Sequence, residues 1–159
     1  MGYELRALIT RSGAMPDGLD LAVIQRPERF VLIPLTNDVF DRLNGGGDRP
    51  HEEQFWFLSG GIRNLALHLS RTSAVAYIEL EYFGGAGTQA SIAWQDGAII
   101  ADPAKHDFES GVDDLPRERW PVNAALAAIG ATAGNAIDEF DALRLGQHRQ
   151  TDDWLDPER

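Results

Sequence analysis

The chain has 159 residues, of which 43% are hydrophobic and 25% charged, a balance typical of one globular domain. It contains no cysteine, which excludes a disulfide framework, a thiolate nucleophile and any cysteine-ligated zinc or iron–sulfur site. Fourteen basic residues against 25 acidic ones give a formal net charge of −11, which disfavours binding to nucleic acid or to an anionic membrane.

The first part of the chain predicts strands followed by a helix. Apolar residues alternate with polar ones over Tyr3–Thr10, which indicates a strand. A short second strand is predicted at Leu21–Ile24 and a third at Phe30–Leu35, where Pro34 favours an edge position. Thr36–Asp38 has the residue types that begin a helix.

The middle of the chain predicts a helix and then an antiparallel meander. Ser59 is expected to cap a helix whose apolar residues recur at helical spacing. The meander has three predicted strands and a tight turn at Asp96-Gly97. The predicted strands are Ala74–Phe83, Thr88–Gln95 and Ala98–Ala101.

The last third predicts a long acidic loop and two helices. Asp102–Arg119 has little periodicity and is predicted as a loop. Pro121 can occupy the first turn of a helix, and Ala136–Leu145 predicts a second helix. Thr151 would begin a final turn. The sequence therefore predicts a single α+β domain over residues 1–159, an antiparallel sheet with a central meander and helices packed on one face.

The motifs of common enzymes and cofactor-binding proteins are incomplete. Gly85–Ala90 matches G-x-G-x-x-A after a strand, but the residues that follow predict another strand, where a dinucleotide site needs a helix. His51-Glu52-Glu53 lacks the second histidine of a zinc motif, and no pair of histidines has ligand spacing. We therefore expect no cofactor, no metal and no assigned catalytic residue.

Surface carboxylates are the remaining candidates for function. Glu79 and Glu81 share one face of a predicted strand, flanked by Tyr77 and Phe83. Acidic residues also cluster later in the chain, and we expect four of them to make further electrostatic contacts: Asp113, Asp114, Asp138 and Asp141. Such carboxylates can hold the lysine and arginine side chains of a partner, with the aromatic rings as apolar anchors. The alternative explanation of these acidic residues is that they only keep the protein soluble.

Two segments carry a resemblance to other proteins. Glu81–Gln89, followed by Trp94 and Gly97, resembles a pattern in small uncharacterised bacterial proteins. The tail, Asp138–Leu143 with Asp152-Asp153-Trp154, is similar to the same group. In its acidity, small size and lack of catalytic motifs the chain also resembles immunity proteins of bacterial toxin systems. That likeness implies a protein partner, a basic toxin domain, and no enzymatic activity.

The sequence therefore favours a non-enzymatic binding protein that covers a basic site with an acidic surface. The N-terminus has no signal-peptide core, and no apolar run approaches membrane-spanning length. We therefore expect a cytoplasmic protein that does not bind a membrane. One alternative is a small hydrolase or acid–base enzyme that uses Glu79 or Glu81 with a histidine. Another is a self-associating domain with an apolar patch at Phe55, Trp56 and Phe57, and the oligomeric state stays open.

Overall fold

A computed structural model describes residues 2–16, 18–44, 54–84, 86–109 and 115–156. Its centre is one six-stranded sheet in which every neighbouring pair is antiparallel. The strand order is β2-β3-β1-β4-β5-β6. The strands are β1 (Tyr3–Arg11), β2 (Ile24–Gln25), β3 (Phe30–Pro34), β4 (Val75–Phe83), β5 (Ala86–Gln95) and β6 (Ala98–Phe108). The α+β class and the antiparallel meander of β4, β5 and β6 are thus confirmed.

Four α-helices lie in the described ranges: α1 (Asn37–Asn44), α2 (Gly60–Ser70), α3 (Pro121–Ala128) and α4 (Glu139–Ala142). Ser59 caps α2 as predicted, because its hydroxyl accepts a hydrogen bond from the Ile62 amide at 3.3 Å. Helix α4 is shorter than the predicted Ala136–Leu145. Asp138 caps its start, and Arg144, at φ 55°, adopts the left-handed conformation that ends helices. Of the helices described, none has the length and apolarity needed to cross a membrane.

Helices cover both faces of the sheet, which differs from the expected packing on one face. Helices α1 and α2 pack on the face that carries Leu8, Tyr77 and Trp94. Helix α3 and the segment after α4 pack on the other face, against Leu5 and Ile78. Strand β3 and the first four residues of β4 are continuous apolar runs, which is typical of strands buried on both sides, and β1 is buried from Ala7 to Thr10.

The edge strand β6 extends well into the predicted acidic loop. It runs through Phe108, and its residues from Ala98 to Asp107 are exposed or half-buried. Because β6 pairs only with β5, its outer edge needs no ladder donor, and Pro103 is tolerated there. A strand with one neighbour and one solvated edge can be polar, so its sequence resembles that of a loop. The hairpin at Asp96-Gly97 is confirmed, with φ angles of 51° and 77° that suit a type I′ turn.

Candidate functional site

Two of the residues predicted to contact a partner lie in the interior. Tyr77 has no exposed surface and Glu79 is 8% exposed. Both face the layer of α1 and α2, and the segment Phe55–Leu58 packs over them. The prediction that Tyr77 is an apolar anchor and Glu79 an electrostatic contact is therefore corrected: neither side chain can reach a partner.

Glu79 instead fixes the segment that covers it. Its carboxylate accepts hydrogen bonds from the amides of Trp56, at 2.9 Å, and Phe57, at 3.2 Å, and from the Tyr77 hydroxyl at 2.8 Å. Burial raises the pKa of Glu79, and these hydrogen bonds, together with the charge of Arg6, partly oppose that rise. The carboxylate therefore holds the main chain at residues 56 and 57 against the sheet.

Asp138 is a second buried carboxylate, 6% exposed, on the opposite side of the sheet. One of its oxygens caps α4 by accepting from the Asp141 amide at 2.8 Å. The other accepts from Arg117 at 3.0 Å and from the Asn123 amide group at 3.2 Å. Its predicted role as a surface contact is therefore corrected to a structural one.

The remaining predicted contacts fall in three places. Glu81 and Phe83 are exposed on β4. Asp141 is exposed on α4, where its carboxylate accepts from the Ile137 amide at 3.2 Å. Asp113 and Asp114 lie outside the described residues. The predicted contact residues that the structure describes thus do not form one continuous acidic patch.

Glu81 and Phe83 belong to an open groove that the sequence revealed only in part. The cavity measures about 440 Å³, and its floor is the end of the meander. Glu81, Thr88 and Asp107 are successive register partners, so they form one row across β4, β5 and β6. We call this site the acidic groove and define it by the two exposed aromatic and three exposed acidic residues that line it: Trp56, Glu81, Phe83, Asp107 and Glu109.

The aromatic residues of the acidic groove are unusually exposed. Phe83 is 74% exposed and Trp56 is 70% exposed. Trp56 comes from the segment that Glu79 holds, so a buried carboxylate positions an exposed ring. The neighbouring Phe55 and Phe57 are buried, so the apolar patch considered for self-association is reduced to Trp56.

Arg6 and Lys105 are cations close to the acidic groove. Arg6 lies 2.9 Å from a carboxylate oxygen of Glu4, and its guanidinium is 3.9 Å from the centre of the Phe57 ring. Lys105 is exposed on β6, two register pairs away from Asp107 and on the same face of the sheet. The three carboxylates that line the groove therefore outnumber the exposed lysine beside it.

Within the part of the chain that the structure describes, the side chain of Glu79 makes its hydrogen bonds with Trp56, Phe57 and Tyr77 and with no histidine. His106 pairs in register with Gln89, whose side chain binds the α3 layer, so His106 points to the opposite face from Glu79. Across the ranges that the structure describes, no group of three or more potential ligand side chains could hold a metal ion.

The opposite face of the same sheet end holds a separate, partly open cavity of about 310 Å³. Its walls are largely aromatic, and a polar network lies beneath them. We call this the aromatic pocket and define it by its rings and its charged pair: Tyr3, Tyr82, Trp120, Phe140, Arg117 and Asp138. Sequence reasoning missed it, because its rings come from four distant parts of the chain.

The site residues thus form two cavities on opposite faces of one sheet end, one acidic and open, the other aromatic. Glu81 and Phe83 point into the first, while Tyr82, between them on β4, points into the second. Comparison of the chain with protein-family models, with curated proteins and with solved structures finds no match.

Proposed function

We propose that this protein is a non-enzymatic binding protein whose acidic groove receives a basic segment of a protein partner. The finer form of the proposal is a cytoplasmic immunity protein that neutralises a bacterial toxin by covering a basic site. The observation that carries the proposal is the pairing of exposed rings with exposed carboxylates in one groove: Trp56 and Phe83 beside Glu81, Asp107 and Glu109.

Arginine and lysine side chains suit both features of such a groove. A guanidinium stacks on an aromatic face and pairs with a carboxylate through two parallel hydrogen bonds. Neighbouring exposed apolar side chains mark interaction sites, and aromatic residues are frequent at the centre of protein interfaces. Trp56 and Phe83 would supply the contact area, and the carboxylates would set orientation and charge preference.

The net charge of −11 supports the same partner class. A negative field attracts a basic protein from a distance and raises its association rate. The groove then supplies the short-range contacts that the field alone lacks. An immunity protein benefits from both effects, because it has to reach its toxin before the toxin reaches its substrate.

Charge reversal in the groove tests this proposal. We expect Glu81→Lys, Asp107→Lys and Glu109→Lys together to weaken binding of an oligo-arginine peptide by roughly 100-fold, since close charge pairs are replaced by repulsion. Calorimetric titration at low and at physiological salt measures the effect. Wild-type affinity should fall as salt rises, because salt screens exposed charges.

A matched control separates the groove from the overall charge. Asp102→Lys, Glu118→Lys and Asp152→Lys change three other exposed acidic residues and give the same net charge. This control should retain most of the wild-type affinity. If both triple variants bind the peptide equally weakly, the net negative charge of the protein explains the binding and the groove does not. The finer proposal predicts that the wild type and the control variant protect cells from a basic toxin domain, whereas the groove variant does not.

A further inference from the structure

The aromatic pocket has the composition of a small-molecule site. A cavity of about 310 Å³ falls within the usual range for ligand pockets, which are mostly apolar with a few polar groups. An engineered apolar cavity of about 150 Å³ accommodates benzene, so this pocket has room for a planar two-ring system. Tyr3 lies 6.0 Å from Phe140 and 6.5 Å from Tyr82 between ring centres, so the three rings pack against one another and form one aromatic wall for a flat ligand.

The deeper polar groups of the pocket already have partners within the protein. The Tyr3 hydroxyl donates to the Leu145 carbonyl at 2.8 Å. The Gln89 side-chain oxygen accepts from the Val122 amide at 3.0 Å, and the Asn123 amide group donates to the Arg117 carbonyl and to the Asp138 carboxylate. A ligand body that fills this space therefore needs to be apolar, because each deep polar atom already makes a hydrogen bond inside the fold.

Arg117 supplies the polar end of the pocket. Its guanidinium lies 4.4 Å from the centre of the Trp120 ring, and one nitrogen donates to Asp138 at 3.0 Å. Its side chain is 48% exposed. A guanidinium carries five N–H donors, so the bond to Asp138 leaves donors for an incoming oxyanion. Asp138 is buried whereas about half of the Arg117 side chain is exposed, so a ligand at the mouth meets the guanidinium before the carboxylate, which favours an anionic head group over a cationic one.

We propose that the aromatic pocket binds a planar, largely apolar bicyclic carboxylate. The rings of the ligand lie against Tyr3, Tyr82 and Phe140, and its carboxylate accepts hydrogen bonds from Arg117 at the mouth. The pocket opens on the face of the sheet opposite to the acidic groove, so this inference stands apart from the proposed protein partner.

Three naphthalene probes with different head groups test the ligand class. They are 2-naphthoate, the neutral 2-naphthylmethanol and the cationic 2-naphthyltrimethylammonium. Calorimetric titration of the full-length protein should give the tightest binding for naphthoate, about tenfold weaker binding for the alcohol and the weakest for the ammonium. No binding of naphthoate, or equal binding of all three probes, would overturn the proposal.

Variants locate the binding. A Cβ added at the exposed Gly146 would lie 3.6 Å from a carbon of the Phe140 ring, an ordinary contact, so Gly146→Leu fills the pocket without removing a packed group. It should weaken naphthoate binding at least tenfold at unchanged Tm. Unchanged affinity in this variant would place the ligand elsewhere and refute the proposal.

A second pair of variants tests the head-group contact. Arg117→Met should remove the preference for naphthoate over the alcohol, whereas Arg119→Met, the same change at a neighbouring exposed arginine, should keep it. If Arg117→Met does not fold, Arg117→Lys keeps the charge and should keep part of the preference. A preference that survives in Arg117→Met would contradict the assignment. The triple reversal in the acidic groove should leave naphthoate binding intact, so the two proposals fail independently.

Discussion

Replacing Glu79 by alanine should lower the free energy of unfolding by about 3–5 kcal/mol, although the residue makes no ion pair at the surface. Its carboxylate accepts from the amides of Trp56 and Phe57 and from the Tyr77 hydroxyl. The Phe57 amide and the Tyr77 hydroxyl are buried, so they would lose their partner without gaining water. Chemical denaturation with urea measures the loss.

Glu81→Ala is the control for this prediction, because Glu81 is two residues along the same strand and exposed. It should change stability by less than about 0.5 kcal/mol. A loss below about 1 kcal/mol in Glu79→Ala would show that the segment around Trp56 is held by other contacts.

The pH dependence gives an independent readout of Glu79. Its pKa is raised in the folded state, so the folded protein binds this proton more tightly than the unfolded chain does. Its contribution to stability is therefore fully present at acidic pH and declines as pH rises from the ordinary glutamate pKa through the raised one. The stability difference between wild type and Glu79→Ala should decrease over that window and then stay constant.

Asp138→Ala should cost about 2–4 kcal/mol, the second-largest effect expected from a single substitution. The change removes the cap of α4 and leaves Asn123 and Arg117 without their shared acceptor. Glu118→Ala, at an exposed position next to Arg117, is the control and should be nearly neutral. Thermal unfolding followed by circular dichroism distinguishes the two, and equal Tm values would contradict the structural role of Asp138.

Much of the sheet was predictable because its signals are local. The alternation over Tyr3–Thr10 and the turn residues at Asp96-Gly97 gave strand and hairpin at nearly the observed bounds. The cap at Ser59 was equally local. The length of β6 was missed because an edge strand with a solvated side carries polar residues and even Pro103.

The burial of individual carboxylates could not be predicted in the same way. Glu79 and Glu81 are two residues apart on one face of β4 and are equivalent by pattern. Only the path of the chain around Trp56, which crosses above Glu79 and stops short of Glu81, makes one buried and the other exposed. That path depends on contacts between residues that are distant in the sequence, and local periodicity does not predict such contacts.

The aromatic pocket escaped prediction for a related reason. Tyr3 and Tyr82 come from neighbouring strands, whereas Trp120 and Phe140 come from either side of α3. Each ring alone fits an ordinary core position. The four rings meet only because the helices of this face lie over the open end of the sheet. The spacing of residues in the sequence does not predict that arrangement.

The most direct test of the acidic groove is the position at which a cationic probe binds. In an amide NMR titration with an oligo-arginine peptide, we expect the largest shifts at Glu81, Phe83, Asp107 and Glu109 and at the indole N–H of Trp56. Small shifts spread over all exposed acidic residues, or a maximum on another face, would contradict the account.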